Sequence, residues 1–200
     1  MSNLDKIGSE YKYGFKTDAP TVFDTGKGIS EEVIRKISAF KKEPKWMEEI
    51  RLKAYHEFAK MKWPTFGPDL GSLTFDDYIY YIKSSEKTVN RWDQVPESIK
   101  KTFDQLGIRE AEQKYLAGVS TQFESEVVYH NTIKELEELG VLFCDTDTAV
   151  KLYPDLVKEY FGKIVPAEDN MFASLNTAVW SGGSFIYVPK GVKIEKPLQS

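Results

Sequence analysis

The chain has 200 residues, 41% of them hydrophobic and 29% charged, and its 27 basic and 31 acidic side chains leave a formal net charge of -4. This is the profile of an ordinary globular protein, long enough to bury the core of one or two domains. It lacks the basic excess that carries non-specific phosphate binding, so nucleic acid is excluded as an expected partner.

One cysteine, Cys144, allows no intrachain disulfide, and no Asn is followed two positions on by Ser or Thr. Both facts favour a reducing cytoplasm. The opening MSNLDKIGSEYKYGFK has no apolar signal region, and no run approaches the roughly 18 apolar residues of a membrane span, so no membrane contact is expected. Cys144, His56 and His130 are the only thiolate and imidazole ligands. A closed structural zinc site or a cluster held by four thiolates cannot be built from them. No calcium-loop pattern is present either.

In chain order, residues 1–28 are rich in Gly, Lys, Asp and aromatics, with Tyr11, Tyr13 and Phe15 alternating, and read as an ordered arm. A helix opens at Ser30, with Glu31 and Glu32 at the positive end of its dipole and Ile29 placed to staple onto Ile34. Val33, Ile37 and Phe40 supply its buried stripe. After Glu43-Pro44, a second helix repeats Met47, Ile50, Ala54, Phe58 and Met61 at intervals of three and four until Trp63-Pro64 stops it. KWPTFGPDLGSL (62–73) is a turn-rich connection. The apolar run in FDDYIYYIK (75–83) fits a strand or a buried helix, and Lys83 to Arg91 is a polar loop. VPESIKKTFDQLG (95–107) is a helix with Pro96 at its first position, Ile99, Phe103 and Leu106 on one stripe, and Gly107 beyond its end.

Val119, Thr121, Phe123, Ser125, Val127 and Tyr129 alternate with polar neighbours, the period of a half-buried strand or extended arm. A helix carrying Ile133, Leu136 and Leu139 ends at Gly140. VLFC (141–144) is short and apolar, and PDLVKEYFG (154–162) places Pro at a helix start, Leu156, Tyr160 and Phe161 inside, and Gly162 beyond. Residues 30–162 thus read as mostly helical. DNMFASLNTAV (169–179) adds one short helix, and WSGGSFIYVPKGVKIEKPLQ (180–199) gives brief β runs punctuated by Gly and Pro. Ser184 to Val188 reads as buried on both faces, Val192 and Ile194 as buried on one. Two or three strands alone leave unpaired edges, so this β region is expected to continue in a longer protein or to be completed by a partner.

At this point the sequence resembles a known family. FASLNTAVWSGGSFIYVPKGVKIEKPLQ (Phe172 to Gln199) is similar to the segment where the SufB-type members of the SufB/SufD family enter their β-helix core. These are scaffold subunits of iron-sulfur cluster assembly systems. The resemblance extends through ISEEVIRKIS (Ile29 to Ser38), KEPKWMEEIRLKAY (Lys42 to Tyr55) and LGIREAEQKYLAGVSTQFESEVVYHN (Leu106 to Asn131), in the family's order and spacing. The stretch from Lys83 to Arg91 contains no Cys, which resembles the versions lacking an inserted Cys-rich loop.

The resemblance implies an α+β protein: a mainly helical N-terminal domain, residues 1–165, followed at 166–200 by the first strands of a right-handed parallel β-helix. It implies the N-terminal part of a non-catalytic scaffold for iron-sulfur cluster assembly in the SUF system. The implied partners are an ABC-type ATPase (SufC), a SufD-like paralogue or second SufB copy, and cysteine desulfurase or sulfur-transfer proteins. The cluster itself belongs to Cys, His and Glu residues downstream of position 200. No family cluster ligand or ATPase contact is carried onto residues 1–200.

Beside that resemblance, each candidate residue has a plainer reading. Cys144, the only thiol, follows an apolar run and reads as packing rather than sulfur chemistry or metal ligation. His56 lies about 200° round its helix from Ala54 and reads as a partly exposed surface residue. His130, beside Asn131, reads as a capping or hydrogen-bonding residue. GKGIS (Gly26 to Ser30) fails the P-loop order, and SGGS (Ser181 to Ser184) fails the nucleophile-elbow pattern and reads as a bulge or tight β corner. Catalytic residues are therefore expected to be none. Tyr11, Tyr13, Trp46, Trp63, Tyr78, Tyr80, Tyr81 and Trp92 read as a buried aromatic layer, with a protein-binding surface as the alternative. Two further readings of the whole chain are a free-standing interaction module and a fragment of a β-helix enzyme, for which Glu195 is the one acid within the strands seen.

Overall fold

The computed structural model describes residues 21–84, 89, 91–105, 118–132 and 134–200. Tyr11, Tyr13, Phe15, Leu106, Gly107, Ile133 and most of the loop before Arg91 lie outside these residues, as do the side chains of Trp92, Phe103 and His130.

Strand β1 (Phe23–Asp24) pairs antiparallel with β2 (Ile82–Lys83), tying the chain before the first helix to the end of the aromatic run. Helix α1 (Glu31–Lys41) starts where Ser30, extended at φ -155°, accepts the Val33 amide on its hydroxyl. It stops at Lys42, which takes the left-handed conformation at φ 53° while its amide and that of Glu43 close onto Ala39 and Ser38. A lysine here rather than glycine accepts some backbone strain. The sharp reversal turns Lys41 inward and points Glu43 at the next helix.

Helix α2 (Lys45–Phe58) buries Met47, Arg51, Ala54 and Phe58. The spacing of four, three and four is the apolar stripe of an amphipathic helix, with an arginine standing in it. Ile50, placed on that stripe by the sequence pattern, is only half-buried, and the helix ends before Met61, well short of Trp63-Pro64. Phe40 sits at the edge of its stripe, 36% exposed, because its ring stacks on Phe23 at 4.0 Å rather than entering the core.

The aromatic run resolves into a single 3-10 turn (Phe75–Asp77) followed by β2, with Tyr81 fully buried. Helix α3 (Glu97–Gln105) begins after Pro96, whose carbonyl accepts the Ile99 and Lys100 amides, and Ile99 is buried. The alternation at 119–129 belongs to two strands, β3 (Gly118–Phe123) and β4 (Glu126–Thr132), paired antiparallel with a register shift between Thr121 and Gln122. Glu124, at φ 54°, turns the chain between them. Ser120, Thr121 and Val127 are buried, and Val127 pairs with Gln122 rather than with an odd-numbered position of β3, so both faces of the hairpin are covered there.

Helix α4 (Lys134–Glu138) leads into β5 (Leu142–Asp145), and α5 (Thr146–Leu152) follows without a loop because the Asp145 carboxylate caps it through the Thr148 amide. Helix α6 (Pro154–Tyr160) has proline at its start and buries Val157, while Tyr160 faces outward at 55% exposure. Helix α7 (Met171–Val179) is capped by Asn170 and packs against α2. Strand β6 (Ser184–Tyr187) pairs antiparallel with β5, and β7 (Leu198–Gln199) pairs parallel with β3, giving the order β4-β3-β7. Ile186 is 46% exposed, so β6 has one open face where the sequence predicts two buried ones. Val192 and Ile194 lie outside any strand but pack on Leu136 and Val141.

The core has several adjoining centres. Ile34, Ala54 and Ala178 join α1, α2 and α7, while Met47, Ala149, Val150 and Val157 join α2 to α5 and α6, with Trp180 and Phe185 packed against them.

Candidate functional site

Where α1, α2, β4 and α5 meet, the structure buries a cluster of charge. The Lys41 ammonium, 1% exposed as a side chain, donates to Asp147 Oδ2 at 2.7 Å and to Glu126 Oε1 at 3.3 Å. The Tyr81 hydroxyl, from the segment before β2, donates to the same Glu126 oxygen. Three distant stretches of chain, 85 and 106 residues from Lys41, are thus joined through one ammonium. Beside them the Arg51 guanidinium makes a two-point pair with Glu43, Nε to Oε2 at 2.8 Å and Nη2 to Oε1 at 2.6 Å, and donates to the Ala178 carbonyl at 3.0 Å.

Trp180 bridges the two halves of the cluster: Lys41 Nζ stands 5.6 Å and the Arg51 guanidinium 4.4 Å from its ring centre. Cations over an indole face are favoured by its quadrupole, and the low polarity of the site strengthens that attraction. Two positive charges face three negative ones, Glu43, Glu126 and Asp147. Burial raises the Asp147 carboxyl above the ordinary 3.8 despite Lys41, with Glu126 and Asp145 adding to the rise. Asp147 Oδ1 and Trp180 Nε1 are both buried and have no hydrogen-bond partner among the described residues. Such a cluster fixes how the elements dock; among the described residues it contains no nucleophile paired with a base.

Cys144 lies in β5 opposite Phe185, half-buried against the core around Met47, beside a cavity of about 330 Å³ that Glu137 and Tyr153 also line. Burial first, and Asp145 second, push its thiol up to about 11, so it stays protonated at neutral pH. His56 is on the exposed side of α2, 3.4 Å from Glu31 Oε2, and the backbone of His130 lies in β4 opposite Ser120. Among the described residues, no group of three or more His, Cys, Asp or Glu side chains is placed to hold a metal ion.

In GKGIS two amides are already engaged, Gly26 N on Asp24 Oδ1 and Gly28 N on the Tyr78 carbonyl. SGGS forms a tight corner, with Gly182 at φ 63° and Gly183 at φ 94°, whose Gly183 amide donates to Gln122 Oε1 at 2.8 Å. Glu195 is exposed. Of the aromatics, Tyr81 is wholly buried and Trp46 and Tyr80 half-buried, whereas Trp63 and Tyr78 are 37% and 47% exposed. Nothing in the sequence pattern singles out Lys41, Glu43, Glu126 or Asp147 among the other charged residues. The one available signal was Arg51 itself, which stands in the apolar phase of α2 between Met47 and Ala54.

Comparison with known proteins places these observations in a family. The SufBD N-terminal region model matches residues 34–200. A protein of Staphylococcus haemolyticus named as an iron-sulfur cluster assembly SufBD family protein is 59% identical over 191 residues. Proteins of the same description from Staphylococcus aureus and Staphylococcus epidermidis are 58% identical over 191 residues. Each alignment takes in 96% of this chain but 41% of the relative, so the chain spans about two-fifths of the length of the curated relatives it matches. No helix among the described residues is long and apolar enough to cross a membrane. With the family model covering most of its length and the relatives agreeing over nearly all of it, the chain belongs to the SufBD family of iron-sulfur cluster assembly proteins.

Proposed function

We propose that this chain forms the N-terminal part of a non-catalytic scaffold subunit on which iron-sulfur clusters are assembled in the cytoplasm. The observation that carries the reading is the family match over residues 34–200, together with relatives named for cluster assembly. The cluster is cargo, held by residues beyond position 200; one half-buried thiol whose proton is held firmly is a poor ligand for it. Residues 1–165 act as a mainly helical docking domain, and 166–200 open a right-handed parallel β-helix. The parallel pairing of Gly118 and Val119 with Leu198 and Gln199, and the glycine corner before β6, support that start. The assembly works with an ABC-type ATPase, a SufD-like paralogue or a second copy, and a cysteine desulfurase system that supplies sulfur.

Anaerobic reconstitution with iron and sulfide tests this reading on the 200-residue chain and on a polypeptide of the relatives' length, each co-purified with the ATPase. The long form is expected to hold a stoichiometric cluster and retain the ATPase, and the 200-residue chain to do neither. A stoichiometric cluster on the short chain, lost in Cys144→Ala, would overturn it.

A further inference from the structure

The buried cluster has an unequal charge count and one loose end. Lys41 serves two carboxylates from different elements, Glu126 on β4 and Asp147 on α5. They are not equivalent. Glu126 is also held by the Tyr81 hydroxyl, whereas Asp147 has Lys41 on Oδ2 and, among the described residues, no partner on Oδ1. The groups facing Asp147 are Lys41 from α1, the Tyr81 hydroxyl from the segment before β2, Glu126 from β4, and Asp145 at the end of β5; Arg51, over the ring of Trp180, is neutralised by its direct pair with Glu43. β6, packed on the other side of α5, carries no charged side chain, and Lys158 of α6 turns away to lie over Trp46.

We propose that Asp147 is a proton-dependent latch: its ionised carboxylate fastens the start of α5 to α1 through Lys41, and its protonation releases that fastening while Glu126 and Tyr81 keep Lys41 in place. The charge count supplies the reason. Adding one proton leaves Lys41 matched by Glu126 alone and Arg51 by Glu43, which removes the excess negative charge from a site with little water to solvate it. The neutral carboxyl keeps an acceptor oxygen but loses the charge that makes its bond to the Lys41 ammonium strong, so the fastening weakens. Because α5 follows β5 without a loop and the Thr146 amide is bonded to the Gly183 carbonyl, the released segment includes the β5–β6 pair. Trp180, with Lys41 over its ring, lies where the change is sensed.

The test is a pH titration of the 200-residue chain by NMR, reading the side-chain carboxyl carbon of Asp147 and the indole N–H of Trp180. The two signals are expected to move together, with a common midpoint above 3.8 and before any loss of far-ultraviolet circular dichroism. Asp147→Asn, which keeps the size and one acceptor oxygen, is expected to fold and to abolish the Trp180 transition. Lys41→Met is not needed, since it strands two buried carboxylates and threatens the fold. An Asp147 midpoint at 3.8, a Trp180 signal that moves only with global unfolding, or a Trp180 transition that survives in Asp147→Asn would each overturn the latch.

Discussion

Arg51 and Glu43 form a doubly hydrogen-bonded ion pair whose side chains are 0% and 1% exposed, closed across the turn that joins α1 to α2. A pair so fully removed from water has lost its hydration, so its fork geometry and the third bond to the Ala178 carbonyl offset that cost only while both partners are present. Arg51→Met leaves Glu43 buried and unpaired. It is expected to cost about 3–5 kcal/mol, measured by urea unfolding. The double variant Glu43→Leu, Arg51→Met should recover most of that loss, because no stranded charge remains.

Gly182 sits at φ 63° with Gln122 close against it: a methyl built there would lie 2.6 Å from the Gln122 amide carbon. Gly182→Ala therefore adds left-handed strain to a clash. A loss of about 1–3 kcal/mol is expected in thermal melts. Removing the obstacle with Gln122→Ala should return the steric share but not the backbone share, and should also cost the Gly183 amide its acceptor.

The Cys144 thiol, raised by burial to about 11 from an ordinary 9.0, should react slowly with disulfide reagents. At pH 8 only about one molecule in a thousand carries the thiolate, so modification should run about a hundredfold slower than in the unfolded chain. The linkage has a definite sign. Between pH 9 and about 11 the folded protein keeps a proton that the unfolded chain releases, so this thiol lowers stability as pH rises through that window. Cys144→Ser, comparably small but without a titrating thiol, should flatten the decline.

Asn170 starts α7 by accepting the Phe172 and Ala173 amides on one side-chain oxygen, at 2.9 and 3.1 Å. Asn170→Ala should cost about 1 kcal/mol by chemical denaturation, and Asn170→Asp should preserve the cap. The effect is expected to reach α2 because α7 packs directly upon it.

Local structure was legible wherever one short segment contains its own cause. Ser30 with Ile29 and Ile34, the prolines that open α3 and α6, and Asn170 before α7 are each within a few residues of what they stabilise. Boundaries were harder: α2 ends at Phe58, although its periodic pattern runs on to Met61. The 119–129 alternation hid a hairpin, because a pattern of period two does not mark where one strand turns into the next.

What the sequence determined by itself was most of the helices, the Ser30 cap, the poverty of metal ligands and, through FASLNTAVWSGGSFIYVPKGVKIEKPLQ and its companion segments, the family; α5 and its Asp145 cap were not read from it. The tertiary structure alone decided the fate of the charges. Lys41, Glu126 and Asp147 look in sequence like the many solvated charges around them, and they and Arg51 lie inside only because a partner of opposite sign arrives with each. For Glu126 and Asp147 that partner comes from 85 and 106 residues away. Hydrophobic periodicity is a property of one segment, whereas burying a charge is a bargain between segments, and no single segment carries its terms.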